Sequence, residues 1–234
     1  MNLRRVTGIR RLLVRAAFGQ ANANVTGVAA AHGHGVSRHS ALGVAPVAGP
    51  PQAGHFWYTK RYPGLMSEPT NTAAITEADR AHLRRCVELA RAALAEGDEP
   101  FGSVLVDGAG EVRFEARNAI VSGDPTRHPE FEIARWAGTH LSSAERAAST
   151  VYTSGEHCPM CSAAHAWAGL GRIVYAVSSA QLTRWRAGWG MAPGPVAALP
   201  IGTVAPGVPV AGPDPLFEEE MRALHAELAA RLAG

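Results

Sequence analysis

The sequence predicts a three-layer α/β/α fold built on a mixed five-stranded sheet. Two observations predict it: a hairpin pattern opens the sheet, and strand and helix patterns alternate after it.

The elements follow in order. Thr76-Glu77-Ala78-Asp79 has the form of a capping box, and Leu83, Val87, Leu89, Ala90 and Leu94 recur at helical spacing until Gly97 stops the helix. Cys86 falls on this helix as an inert core thiol. Residues 101–107 read as a strand, Gly108-Ala109-Gly110 as a turn, and residues 111–120 as the hairpin partner. A loop over 121–127 leads to a helix over 130–139. Residues 150–154 form a short strand, 159–170 a helix and 172–178 another strand. A last strand lies near 208–211, and Asp214-Pro215 starts the final helix as an N-cap followed by proline at the first helical position.

Charge divides the 234 residues unevenly. Residues 1–66 hold eight of the 22 basic residues and none of the 20 acidic ones; the remainder has 14 basic against 20 acidic, a formal charge of −6. Such a body does not suit a large phosphate-binding surface. Residues 1–66 show no sustained period and read as a basic low-complexity leader. An organelle transit peptide, a twin-arginine signal at Arg10-Arg11 and a nucleic-acid arm are alternatives; the preferred expectation is translation from Met66, with residues 67–234 as the functional domain. Three cysteines make no disulfide framework, and no apolar run reaches the ~18 residues of a membrane helix, so a cytoplasmic location is expected.

The chemistry concentrates in two places. His128-Pro129-Glu130 comes first, and Cys158-Pro159-Met160-Cys161 begins 28 residues after Glu130. Three soft or borderline donors suit Zn²⁺, which lowers the pKa of a bound water from 15.7 to roughly 7, and a carboxylate beside it can move the proton. The prolines explain the spacing. A residue before proline avoids helical backbone and proline favours the first helical position, so His128 and Cys158 each become an N-cap, with Glu130 and Cys161 in the first turn. Two helix N-termini then converge on one metal and favour thiolates there. A redox Cys-x-x-Cys leaves the His-x-Glu unexplained. A closed structural zinc would need His157 or His165 as a fourth ligand, and a non-catalytic zinc assembly module would have no use for Glu130.

Taken with Pro100-Phe101-Gly102-Ser103-Val104-Leu105-Val106, Asn118, Asp124-Pro125-Thr126 and Glu156-His157 before Cys158, these segments resemble the cytidine deaminase superfamily, most of all its guanine deaminase and tRNA adenosine deaminase branch. The resemblance implies that His128, Cys158 and Cys161 bind zinc, that Glu130 is the catalytic proton carrier, that Asn118 hydrogen-bonds the base, and that Phe101 and Gly102 line the pocket. It also implies a homodimer. Two departures bear on the substrate. Pro129 stands where relatives usually have alanine, which removes a backbone N–H that can contact the substrate, and His157 stands where they usually have proline.

The final helix begins with Glu218-Glu219-Glu220, where a tRNA-editing enzyme should be basic, so no nucleic-acid partner is expected. The expected substrate is a small amino-substituted ring, such as guanine, a cytosine analogue, a nucleoside or a triazine. Trp185 and Trp189 are candidates to stack on it.

Overall fold

The computed structural model describes residues 74–234; the expected leader, residues 1–66, and its boundary at 67 lie outside the described residues. Helix α1 (Glu77–Glu96) starts at the Thr76 capping box and stops at Gly97, whose φ of 96° is left-handed. Strands β1 (Gly102–Val106) and β2 (Val112–Arg117) form the hairpin. Then come α2 (Pro129–His140), α3 (Ser143–Ala148), β3 (Thr150–Gly155), α4 (Pro159–Ala168), β4 (Arg172–Val177), α5 (Ser179–Gly188), α6 (Ile201–Val204), β5 (Val210–Ala211) and α7 (Glu218–Ala233). Among the described residues, no helix is long and apolar enough to cross a membrane.

The five strands lie in the order β2-β1-β3-β4-β5. β1 pairs antiparallel with β2 and β3, whereas β4 runs parallel to β3 and β5, so the expected mixed sheet is present. Strand alternation then sorts the layers. Val104 and Val106 of β1 turn to the α1 and α7 side, with Leu83, Val87, Phe217, Met221 and Leu224. Leu105, with Val151 of β3, turns to the opposite side and meets Ile133 and Ala137 of α2, with Ala164 of α4 packed alongside. All of β1 is buried, whereas β2 at the edge is largely exposed.

Buried Asp79 ties the first layer to the sheet. Beyond closing the capping box, its Oδ1 accepts from the Tyr152 hydroxyl on β3 at 2.8 Å and from Arg172 on β4 at 3.2 Å. Burial alone would raise this carboxyl; the Thr76, Tyr152 and Arg172 contacts outweigh it and leave the pKa lowered.

The structure departs from expectation in three places. β2 ends at Arg117, and Ile120–Ser122 form a 3₁₀ turn, because Asp98 Oδ1 accepts from the Val121 N–H at 2.7 Å and draws the chain off the ladder. Three further helices are present, α3 and α5 after capping boxes Ser142/Glu145 and Ser178/Gln181, and the single turn α6. The last helix is preceded by a 3₁₀ turn, Pro215–Phe217, which Asp214 caps by accepting from the Leu216 N–H at 3.1 Å.

Candidate metal centre

His128 and Cys158 are the N-caps of α2 and α4, with extended backbones (φ −82°, ψ 140° and φ −65°, ψ 167°), and a proline follows each at the first helical position. Neither side chain makes a capping hydrogen bond to its helix. Both turn instead to each other. His128 Nδ1 lies 3.6 Å from Cys158 Sγ and 3.7 Å from Cys161 Sγ, and the two sulfurs are 3.4 Å apart.

The His128 separations fall in the range for zinc, and that of the two sulfurs lies just below it. A tetrahedral ion with Zn–S of about 2.3 Å and Zn–N of about 2.0–2.1 Å has donor-to-donor edges of roughly 3.5–3.8 Å. Among the described residues, His128, Cys158 and Cys161 form the one group of three or more donors close enough to hold a metal. His165 is turned elsewhere, with Nε2 at 2.8 Å from the Gly171 carbonyl oxygen, and His157 packs edge-on against it. Three protein donors is the number found in open catalytic sites.

Electrostatics favour a metal here. The Cys158 thiol is pulled down to about 4 by its hydrogen bond with Cys161 and, further, by His128, against the opposing effect of burial. Cys161, paired with Cys158 and buried, is pushed well up. Burial would lower His128, but the hydrogen bond with Cys158 and the charge of Glu130 raise it. Protons that such a cluster holds without a metal are released when a dication replaces them.

Glu130 stands in the first turn of α2 and is buried beside the donors. Burial raises its pKa, offset in part by His128 and by Thr153, whose Oγ1 donates to Glu130 Oε1 at 2.7 Å. Pro129 is buried at the first helical position and has no N–H to offer. Asn118 is 1 % exposed; its Oδ1 accepts from the Ile120 N–H at 3.3 Å, while Nδ2 has no partner among the described residues. The Ala119 N–H donates to the Arg127 carbonyl at 3.1 Å, and that bond closes the loop and brings Asn118 and His128 to its two feet.

The other expected contacts are placed as follows. Phe101 packs its ring on Gly155, where an added Cβ would come within 2.8 Å of it, and edge-on to His225 at 5.0 Å between centroids. Gly102 turns to α1: a Cβ there would lie 2.5 Å from the Cys86 carbonyl oxygen, on the sheet face opposite α2 and α4. Trp185 packs against the core cluster of α1 and α7, and half-buried Trp189 ends α5.

Three polar residues in the site region escaped sequence reasoning. Thr153 and Ser103 are paired across β1 and β3 and buried under Glu130. Glu156 caps two helices at once, accepting from the Ser179 N–H at 2.8 Å and the Ile201 N–H at 3.0 Å. Their shared signal is polar side chains in and just after an otherwise apolar strand.

Residues 76–177 match the cytidine and deoxycytidylate deaminase zinc-binding region. A probable cytosine deaminase of Schizosaccharomyces pombe is 32% identical over 114 residues, which cover 49% of this chain and 69% of the yeast protein. The tRNA-specific adenosine deaminase of Haemophilus influenzae is 36% identical over 104 residues, 44% of this chain and 60% of that protein. The crystal structure of NE0047 in complex with 2,6-diaminopurine is 26% identical, with a TM-score of 0.52 over 67% of this chain and 84% of that one.

Proposed function

Because the chain belongs to the zinc-binding cytidine deaminase superfamily, we propose that it is a hydrolytic deaminase that removes the exocyclic amino group of a small heterocycle, free base or nucleoside, as ammonia. The observation that carries the reading is Glu130, a buried carboxylate that ligates nothing in the donor set yet stands in the first turn of the same helix that His128 caps. A pure assembly module has no need of that carboxylate.

His128, Cys158 and Cys161 would hold the zinc, and zinc, when bound, supplies the Lewis acidity that makes water a nucleophile near neutral pH. Water adds its oxygen to the ring carbon that bears the amino group. Glu130 takes the first proton and delivers it to the adjacent ring nitrogen; it passes the second to the amino group, which leaves as ammonia. A raised pKa suits a group that must both accept and return a proton. Asn118 Nδ2, a buried donor with no partner among the described residues, would recognise a carbonyl or ring nitrogen of the base.

A small free base is supported by the cytosine deaminase relative and by the diaminopurine bound in the similar structure. A tRNA adenosine deaminase is the second reading, favoured by the Haemophilus relative; the −6 charge of residues 67–234 and the Glu218–Glu220 run at the start of α7 oppose it. Cytoplasmic location and a homodimer are part of the same proposal.

The test is ammonia release from a panel of cytosine, guanine, 2,6-diaminopurine, their nucleosides, a triazine and a tRNA anticodon stem. Wild type should bind about one zinc per chain and turn over a free base or nucleoside. Glu130→Ala should keep the zinc and lose on the order of 10⁴-fold in rate. Stoichiometric zinc with no turnover of any member points to the assembly module, and turnover of the anticodon stem alone points to the editing enzyme.

A further inference from the structure

The sheet face beneath α2 and α4 is apolar except at one spot. Leu105 of β1 and Val151 of β3 pack under these helices, yet the neighbouring cross-strand pair on the same face is Ser103 and Thr153. Both hydroxyls are 0% exposed. A pair of small apolar residues would fill such a position without the desolvation cost of two hydroxyls.

The hydroxyls form a directed chain. Ser103 Oγ donates to Thr153 Oγ1 at 2.9 Å, and Thr153 Oγ1 lies 2.7 Å from Glu130 Oε1 and 3.0 Å from the Gly155 carbonyl oxygen. A hydroxyl has one proton, so Thr153 donates to one acceptor at a time. An ionised carboxylate at the shorter distance is the stronger acceptor, and the bond from Ser103 polarises Thr153 in the same direction. Among the described residues Thr153 is the sole hydroxyl donor to Glu130.

We propose that Thr153, backed by Ser103, is a positioning residue: it holds Glu130 Oε1 so that the other carboxylate oxygen is the one presented to water and substrate. This rests on the reading of Glu130 as the proton carrier. Glu130 stands at the second position of a helix and reaches the reacting atoms through three rotatable bonds. Thr153 stands on β3, buried from Val151 to Gly155, so its hydroxyl ties the carboxylate to the core of the sheet. Displacements of about 1 Å in such groups cost on the order of 10²-fold in rate.

The experiment compares Thr153→Val, Thr153→Ser and Ser103→Ala with wild type, each assayed for zinc content, unfolding midpoint, kcat and KM on the best substrate of the panel. Thr153→Val, which keeps the shape, should bind about one zinc per chain and lose roughly 10–100-fold in kcat with KM little changed. Thr153→Ser should restore kcat to within about three-fold of wild type, and Ser103→Ala should fall between the two. In a Glu130→Ala background Thr153→Val should cost nothing further, since the group it positions is gone. Crystal structures of the zinc-loaded proteins should show the carboxylate held on Thr153 in wild type and rotated in Thr153→Val.

Wild-type kcat in Thr153→Val, an unmoved carboxylate in its structure, or a loss that merely follows zinc content or stability overturns the proposal. So does a loss that Thr153→Ser fails to repair. A fully active Glu130→Ala overturns the reading beneath it. An inactive Glu130→Ala beside a fully active Thr153→Val overturns only the role of Thr153.

Discussion

The rings of His157 and His165 meet edge to face, with centroids 5.4 Å apart, and both are buried to within 1 % of complete exclusion from solvent. Of their four nitrogens only His165 Nε2 has a partner among the described residues. His225 on α7 repeats the pattern at a distance from the metal donors, against Phe101.

Burial favours the neutral form of all three rings, which holds His165 down to about 4, His225 to about 3 and His157 well below its ordinary value. Below a pH of about 6.5 the unfolded chain binds protons that the folded one refuses, so their stabilisation is complete above that pH and declines as pH falls towards the folded values. His165 and His225 together should cost up to roughly 3 kcal/mol per pH unit in that window. Urea midpoints at pH 7, 6 and 5 check this, with His225→Leu expected to flatten the profile by about one proton. A wild-type profile level from pH 7 to 5 refutes it.

Thiol reactivity should separate the cysteines. After chelation of zinc, Cys158, half-buried and with its pKa pulled down, should react first with a disulfide reagent. Cys86, fully buried on α1 with its pKa pushed well up by that burial, should stay silent until the chain unfolds. Zinc should protect Cys158 and Cys161 together; a rapid third thiol in the folded protein contradicts the placement of Cys86.

Asp79 and Tyr152 should be energetically coupled. The hydroxyl-to-carboxylate bond is buried, and burial, with Asp79 next, holds the phenol well above its usual range. A cycle of Asp79→Asn and Tyr152→Phe read by chemical unfolding should give a coupling of about 1–2 kcal/mol, without change in zinc content. Additive effects would show that Tyr152 packs but does not bond.

Gly102→Ala tests the contact between α1 and β1. The new methyl meets the Cys86 carbonyl and the Leu89 side chain, both fixed in a packed helix. A loss of about 1–3 kcal/mol is expected, with the metal site on the other face intact. Stability equal to wild type would mean that α1 yields freely.

Residues that act through local rules were legible in the sequence. The two X-Pro steps announce the N-caps His128 and Cys158, and the Thr76 box announces α1, because each rule spans at most four neighbouring positions. Helices α3 and α5 carry the same box signal, but Ser142 and Ser178 precede short helices with weak periodicity. Ser103 and Thr153 were not legible as a pair. They are 50 residues apart, and only the register of β1 on β3 sets one opposite the other. The resemblance implies Gly102 as pocket lining, whereas strand alternation turns it to α1.

His128 and Cys158 are separated by 30 residues of chain, yet their donor atoms are neighbours because α2 and α4 dock side by side on one sheet face. In a free chain, closing a loop of that length costs about 3 kcal/mol in entropy. Here the docking of apolar surface on the sheet helps to close it. Zinc therefore enters a finished socket, unlike the ion of a small finger domain that must organise its own ligands. The ion should be exchangeable in the native state, cadmium or cobalt taking its place without the chain ever opening.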